Sequence, residues 1–216
     1  MKKAVKMLAL ALALMMTLAL CACGQEPATI EEDPTFTRGT VDGQAYTSEF
    51  AGLQYTAPEG WTYLSDEEIA KLNGITAAVG DEDFAAQLEE NLESGMQVQD
   101  MQVMSTDGKS VSVVMAKMNG DGQTVDMAAF ADATVEGMVS TYQSMGMEDA
   151  AATRGTVEIA GESCEAISLQ GTLLNVLVYT KTACVQRGDY LCMITASTTT
   201  EDVTADMLAG FTALSK

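Results

Sequence analysis

No histidine occurs anywhere in the 216 residues. Imidazole is the side chain whose ordinary pKa lies nearest neutrality. Its absence removes histidine triads, the common zinc sites and imidazole acid–base catalysis together. Basic residues are scarce too, 11 Lys and Arg against 31 Asp and Glu. A nucleic-acid binder needs a basic face, and this composition supplies none. Proline is limited to three residues and tryptophan to Trp61. Long hydrophobic runs are also lacking. The apolar stretch MLALALALMMTLAL, residues 7–20, holds 14 residues. It spans about 21 Å as a helix, whereas a bilayer core takes about 20 residues.

That stretch follows Lys2, Lys3 and Lys6, which is the pattern of a secretory signal rather than of a spanning helix. Cleavage needs small side chains just before the cut. A cut before Cys21 would place Leu20 there, whereas a cut before Cys23 places Ala22 there. Leu20-Cys21-Ala22-Cys23 resembles the lipobox of bacterial lipoproteins. The resemblance implies that residues 1–22 are a signal peptide and that Cys23 is the lipid-attachment residue. Its thiol then carries a diacylglyceryl group, and its freed amine can take a further acyl chain such as palmitate. Two chains hold a protein stably where one does not, because each buried methylene contributes about 0.8 kcal/mol. The expected location is the extracytoplasmic face of the cell membrane, and Cys21 leaves with the signal.

From Cys23 onward the chain has 194 residues, eight basic and 31 acidic, a net charge of −23. Anionic headgroups repel such a domain, so the lipid is its link to the membrane. The charge favours a soluble monomer. Residues 23–35 form an acidic, flexible tether with two of the prolines. Residues 36–216 form one α+β domain, without internal repeats.

Short strands are expected over TFTRGTVDG, QAYTSEF and LQYTAP, with turns at Gly43 and Gly52. Ser65-Asp66-Glu67-Glu68 is a capping box that opens a helix. A second helix, residues 81–94, turns Phe84, Leu88 and Leu92 to one side. Asp107-Gly108 joins MQVQDMQVMST and KSVSVVMAKM in a hairpin. Residues 125–145 give a strong helical pattern through Met127, Ala131, Val135, Met138, Val139 and Tyr142. Four strands follow Gly155: TVEIA, SCEAISLQ, LLNVLVYTKTACV and YLCMITAS, punctuated by Gly161, Gly171 and Gly188. The end of the chain, EDVTADMLAGFTALSK, reads as an amphipathic helix with Val203, Met207, Phe211 and Leu214 inward. Tight turns make the strands antiparallel. LLNVLVYTKTACV is apolar on both faces and therefore reads as the central strand. The whole is an antiparallel sheet covered by helices, an α/β/α sandwich.

The stretches Tyr46-Thr-Ser-Glu-Phe and Gly52-Leu-Gln-Tyr-Thr-Ala-Pro-Glu-Gly-Trp61, with the acidic helix behind them, resemble the N-terminal half of the PsbP-like fold. Gly188-Asp-Tyr190, Met-Ile-Thr-Ala-Ser and a closing helix resemble its C-terminal half. Small lipoproteins of Gram-positive bacteria share the pattern. That fold serves a photosystem subunit and nuclear-transport cofactors alike, so the resemblance implies a scaffold and no chemistry.

Several features invite functional readings. Trp61 and Tyr63 suit a binding patch or, more simply, packing. Cys184 and Cys192 sit on two arms of one hairpin. They can form a disulfide if the turn puts them on one face, whereas Cys164 is two strands away. The alternative is three reduced thiols in the core. Met101/Met104 and Met115/Met118 hint at a Cu(I) site, but residues i and i+3 of a strand face opposite ways. Asn119-Gly120-Asp121-Gly122 is a turn that fails as a calcium loop at both ends, leaving a weak calcium site on the acidic surface as the alternative. Arg187-Gly188-Asp189 is ordinary turn chemistry that would be exposed if it were an adhesive tripeptide. The reading is a non-enzymatic, lipid-anchored binding or scaffold module of the cell envelope, with no metal or cofactor and a partner the sequence does not identify. Its rivals are a histidine-free hydrolase using Ser/Lys or paired carboxylates, and a calcium- or copper-binding lipoprotein.

Overall fold

The computed structural model describes residues 35–75, 82–118 and 125–214. Cys21, Cys23 and Asn119-Gly120-Asp121-Gly122 lie outside the described residues. The architecture is α+β, as the patterning requires, with two antiparallel sheets. The N-terminal strands β1 (Thr40–Asp42), β2 (Ala45–Ser48) and β3 (Leu53–Thr56) form the smaller sheet. The larger one begins with β4 (Thr62–Tyr63), β5 (Gln97–Met104) and β6 (Ser110–Lys117). It continues through β7 (Glu148–Ile159), β8 (Glu162–Leu173), β9 (Val176–Arg187) and β10 (Tyr190–Thr198). Its order is β4-β5-β6-β10-β9-β8-β7. The centre is therefore β10, buried at every residue, with β9 beside it rather than in the middle. Helices α1 (Asp66–Leu72), α2 (Glu82–Glu93), α3 (Met127–Ser144) and α4 (Thr204–Leu208) cover these sheets.

The local reasons are visible. Ser65 caps α1 with a full capping box, its hydroxyl accepting from the Glu68 N–H while the Glu68 carboxylate accepts from the Ser65 N–H. Asp126 caps α3 by accepting from the Ala128 and Ala129 N–H groups. Leu174 and Asn175 both adopt positive φ, 52° and 61°, and make the two-residue β8–β9 turn between Leu173 and Val176. Gly171 is no turn. It lies inside β8, where a Cβ would come within 2.6 Å of Met147.

Alternation splits the large sheet into two faces. One face presents Val111, Val113, Met115, Cys192, Ile194, Ala183 and Val185 to a core shared with the small sheet, α1, α2 and α4. The other presents Ile167, Leu169 and Val178 to Ala131, Met138 and Tyr142 of α3. Arg154 ties α3 to the sheet, pairing with Asp132 at 2.8 Å and with Glu165 at 2.8 Å. The same face carries hydroxyls, and Thr182 and Thr195 hydrogen-bond across strands at 2.9 Å.

The expected sandwich thus has a second sheet in one layer. The chain end also differs from the expected helix. After α4 it crosses Gly210 and becomes β11 (Phe211–Ala213), pairing with β3 at the edge of the small sheet. Gly210 permits this because a Cβ there would sit 2.9 Å from the Tyr55 ring. Extended backbone places Phe211 against Tyr55, ring centroids 4.7 Å apart, and buries both.

Candidate functional site: the cleft between the sheets

Residues of both sheets line a cleft of about 740 Å³. One wall comes from the small sheet: Thr47 on β2, Glu49 in the β2–β3 turn, Leu53 on β3 and Leu214 after β11. The other comes from the large sheet: Ile159 on β7, Glu162 and Cys164 on β8, and Val185 and Arg187 on β9. Buried Leu53, Ile159 and Val185 make the floor apolar, while Glu49 and Glu162 are exposed at the rim.

Arg187 holds the walls together. Its Nε donates to the Ala51 carbonyl at 3.1 Å, across the gap, and its Nη1 to the Gln186 carbonyl at 3.0 Å. Among the described residues it makes no ion pair. Arg38, Lys109, Lys117 and Arg154 each do. Arg187-Gly188-Asp189 is therefore not a displayed tripeptide, because its arginine is turned back into the cleft.

The hairpin register settles the cysteines. Arg187 pairs with Tyr190 around a two-residue turn at Gly188-Asp189, so Cys184 lies opposite Met193 and Cys192 opposite Val185. Cys184 and Cys192 consequently face opposite sides of the sheet, the former with Val114 and Met193, the latter in the core between the sheets. The Cys184–Cys192 disulfide does not form, and Cys164, Cys184 and Cys192 are free. Burial pushes the Cys184 thiol up to about 12 and Cys192 higher still. Cys164 lines the cleft, half-buried, and burial raises its pKa with help from Glu162 against the opposing pull of Arg187. A thiol kept protonated is a poor nucleophile.

The methionine pairs are packing residues. Met101 and Met115 enter the core between the sheets, while Met118 joins the opposite face. Trp61 packs partly buried against the core, and Tyr63 donates to the Tyr55 carbonyl at 3.2 Å, linking β4 to the small sheet.

One cluster had no signal in the sequence. β5 carries a bulge between Gln99 and Met101, which aims Asp100 inward at 1% exposure. Its carboxylate accepts from the Tyr46 hydroxyl at 2.5 Å and from the Gly39 N–H at 3.0 Å, with Arg38 Nε 4.0 Å away. Burial raises the Asp100 pKa against the pull of these partners, and burial followed by the Asp100 charge raises that of Tyr46. The cluster is sealed and does not line the cleft. It fastens the segment from Phe36 to Gly39 onto the large sheet, where Phe36 also meets Phe50 edge-on at 5.4 Å. A run reading QVQDMQ could reveal this only if the bulge were known in advance.

No helix among the described residues is long and apolar enough to cross a membrane. No protein-family model and no curated protein matches the chain. Among solved structures, LpqN, described as involved in cell envelope biogenesis of Mycobacterium tuberculosis, is similar at a TM-score of 0.42 and 11% identity. That match covers 74% of this chain and 82% of LpqN, and so loose a likeness carries no argument about function.

Proposed function

We propose that the chain is a lipid-anchored binding module of the bacterial cell envelope, on the extracytoplasmic side, with the inter-sheet cleft as its binding site and no catalysis of its own. The observation that carries the attachment is Leu20-Cys21-Ala22-Cys23 after a 14-residue apolar run. Its length suits export and not spanning. The cleft supports the binding half of the reading: its volume falls within the usual range of ligand sites, roughly 300–1,000 Å³, and it combines an apolar floor with a few charges. Its thiol is held protonated and its arginine is bound to two carbonyls, an arrangement for holding a molecule rather than transforming one. The PsbP-like relationship belongs to this proposal as the scaffold.

The test is metabolic labelling with a clickable fatty acid in a bacterial host. Wild type takes the label and loses residues 1–22. The Cys23→Ala variant takes none and keeps its leader, whereas Cys21→Ala behaves as wild type. An unlabelled wild-type protein would sink the anchor.

A further inference from the structure

The charges of the cleft do not answer one another. Arg187 has no carboxylate partner among the described residues, and Glu49 and Glu162 make no ion pair there either, although all three line the same cavity. Lys71 and Lys181 also make no ion pair among the described residues, but Arg187 is the one of these three cations that lines the cavity. Two of its donors are fixed by the Ala51 and Gln186 carbonyls. The guanidinium is thereby oriented, and its remaining N–H groups are available to a bound carboxylate.

We propose that the cleft takes a zwitterion with an apolar side chain, the chemistry shared by an apolar amino acid and a short peptide with free ends. The ligand's carboxylate meets Arg187, its ammonium meets Glu49 and Glu162, and its side chain enters among Leu53, Ile159 and Val185. Other classes answer only part of the lining. A fatty acid leaves both glutamates unmatched and brings its charge near them. A cationic amphiphile leaves Arg187 unmatched. A phosphate dianion faces two carboxylates with a single cation to hold it. The inference rests on the binding-module reading and adds the ligand's chemistry to it.

Cys164 supplies an internal reporter, because it lines the cleft while Cys184 and Cys192 are buried. The mature lipoprotein in non-ionic detergent is alkylated with N-ethylmaleimide at pH 8.5, with Leu-Leu, N-acetyl-Leu-Leu, Leu-Leu amide or free leucine present. Leu-Leu is expected to slow Cys164 alkylation, and either cap to weaken its apparent affinity about tenfold or more. Arg187→Gln removes the penalty for the amide and keeps that for the acetyl cap, whereas Arg187→Lys keeps both. The paired Glu49→Gln and Glu162→Gln change removes the penalty for the acetyl cap. Comparison of leucine with Leu-Leu distinguishes the amino acid from the peptide as source. Capped and free ligands that protect equally would overturn the zwitterion, as would Leu-Leu that gives no protection. Uncharged indole separates the two levels. If indole protects Cys164 and Leu-Leu does not, the cleft binds but the zwitterion is wrong. If neither protects, the binding-module reading falls with it.

Discussion

At the scale of single residues, Asp100 is the most consequential side chain that the sequence hid. Its carboxyl is buried and its folded pKa is raised. The unfolded chain therefore loses its proton first as pH increases. The stabilising contribution is complete below the unfolded value of about 3.9 and is lost as pH rises through the folded pKa. Asp100→Asn cannot titrate. The stability difference, wild type minus variant, is expected to fall as urea unfolding is repeated from pH 3.5 upward to pH 7, and a pH-independent difference would contradict this. Tyr46→Phe leaves a buried carboxylate short of one donor and is expected to cost about 1–3 kcal/mol, measured by the same unfolding curves. The thiols make a second set. In native protein Cys164 alone should react with a maleimide, and all three should react in 6 M guanidinium. Fast reaction of Cys192 would show that the core between the sheets is open.

At the scale of elements, periodicity found most of what it could. The capping box at Ser65, the inward side of α2 and the span of α3 all depend on neighbours three or four residues away, and the sequence contains those neighbours. What failed depended on partners distant in the chain. Strand pairing makes β10 central, and no feature of YLCMITAS states which strands will flank it. The final segment has helical spacing through Val203 and Met207, but contact with Tyr55 and pairing with β3 outweigh that spacing beyond Gly210. Gly171 reads as a turn until Met147 is seen against it. The cleft is the extreme case. It joins residues from Thr47 to Leu214, and of these the sequence offers only Cys164 and Arg187 as functional candidates, each for a different reason, while Gly52 and Leu214 read as a turn and as helix packing. The Leu174-Asn175 turn offers a test at this scale. Leu174 holds a left-handed φ while 79% exposed, a conformation that costs an L side chain about 1–2 kcal/mol and that asparagine tolerates. Leu174→Asn is expected to stabilise the domain by about 0.5–1 kcal/mol in thermal unfolding. A loss of stability would mean that the turn is of another type.

At the scale of the whole molecule, charge and attachment dominate. From Cys23 onward a net charge of −23 sets carboxylates against one another over the surface, and salt screens that repulsion. Raising sodium chloride from 10 mM to 0.5 M is expected to raise the unfolding temperature by a few degrees, and a flat response would mean that ion pairs such as Arg154 with Asp132 offset the repulsion. Anionic headgroups repel a domain of that charge, and in the proposed function the lipid at Cys23 supplies the contact with the membrane. The proposed attachment therefore rests on Cys23. Mass spectrometry of the amino-terminal peptide, from protein extracted out of bacterial membranes, tests it most directly. The predicted peptide begins at Cys23 and carries a thioether-linked diacylglycerol. A free thiol at Cys23, or a peptide still beginning in the leader, would contradict it.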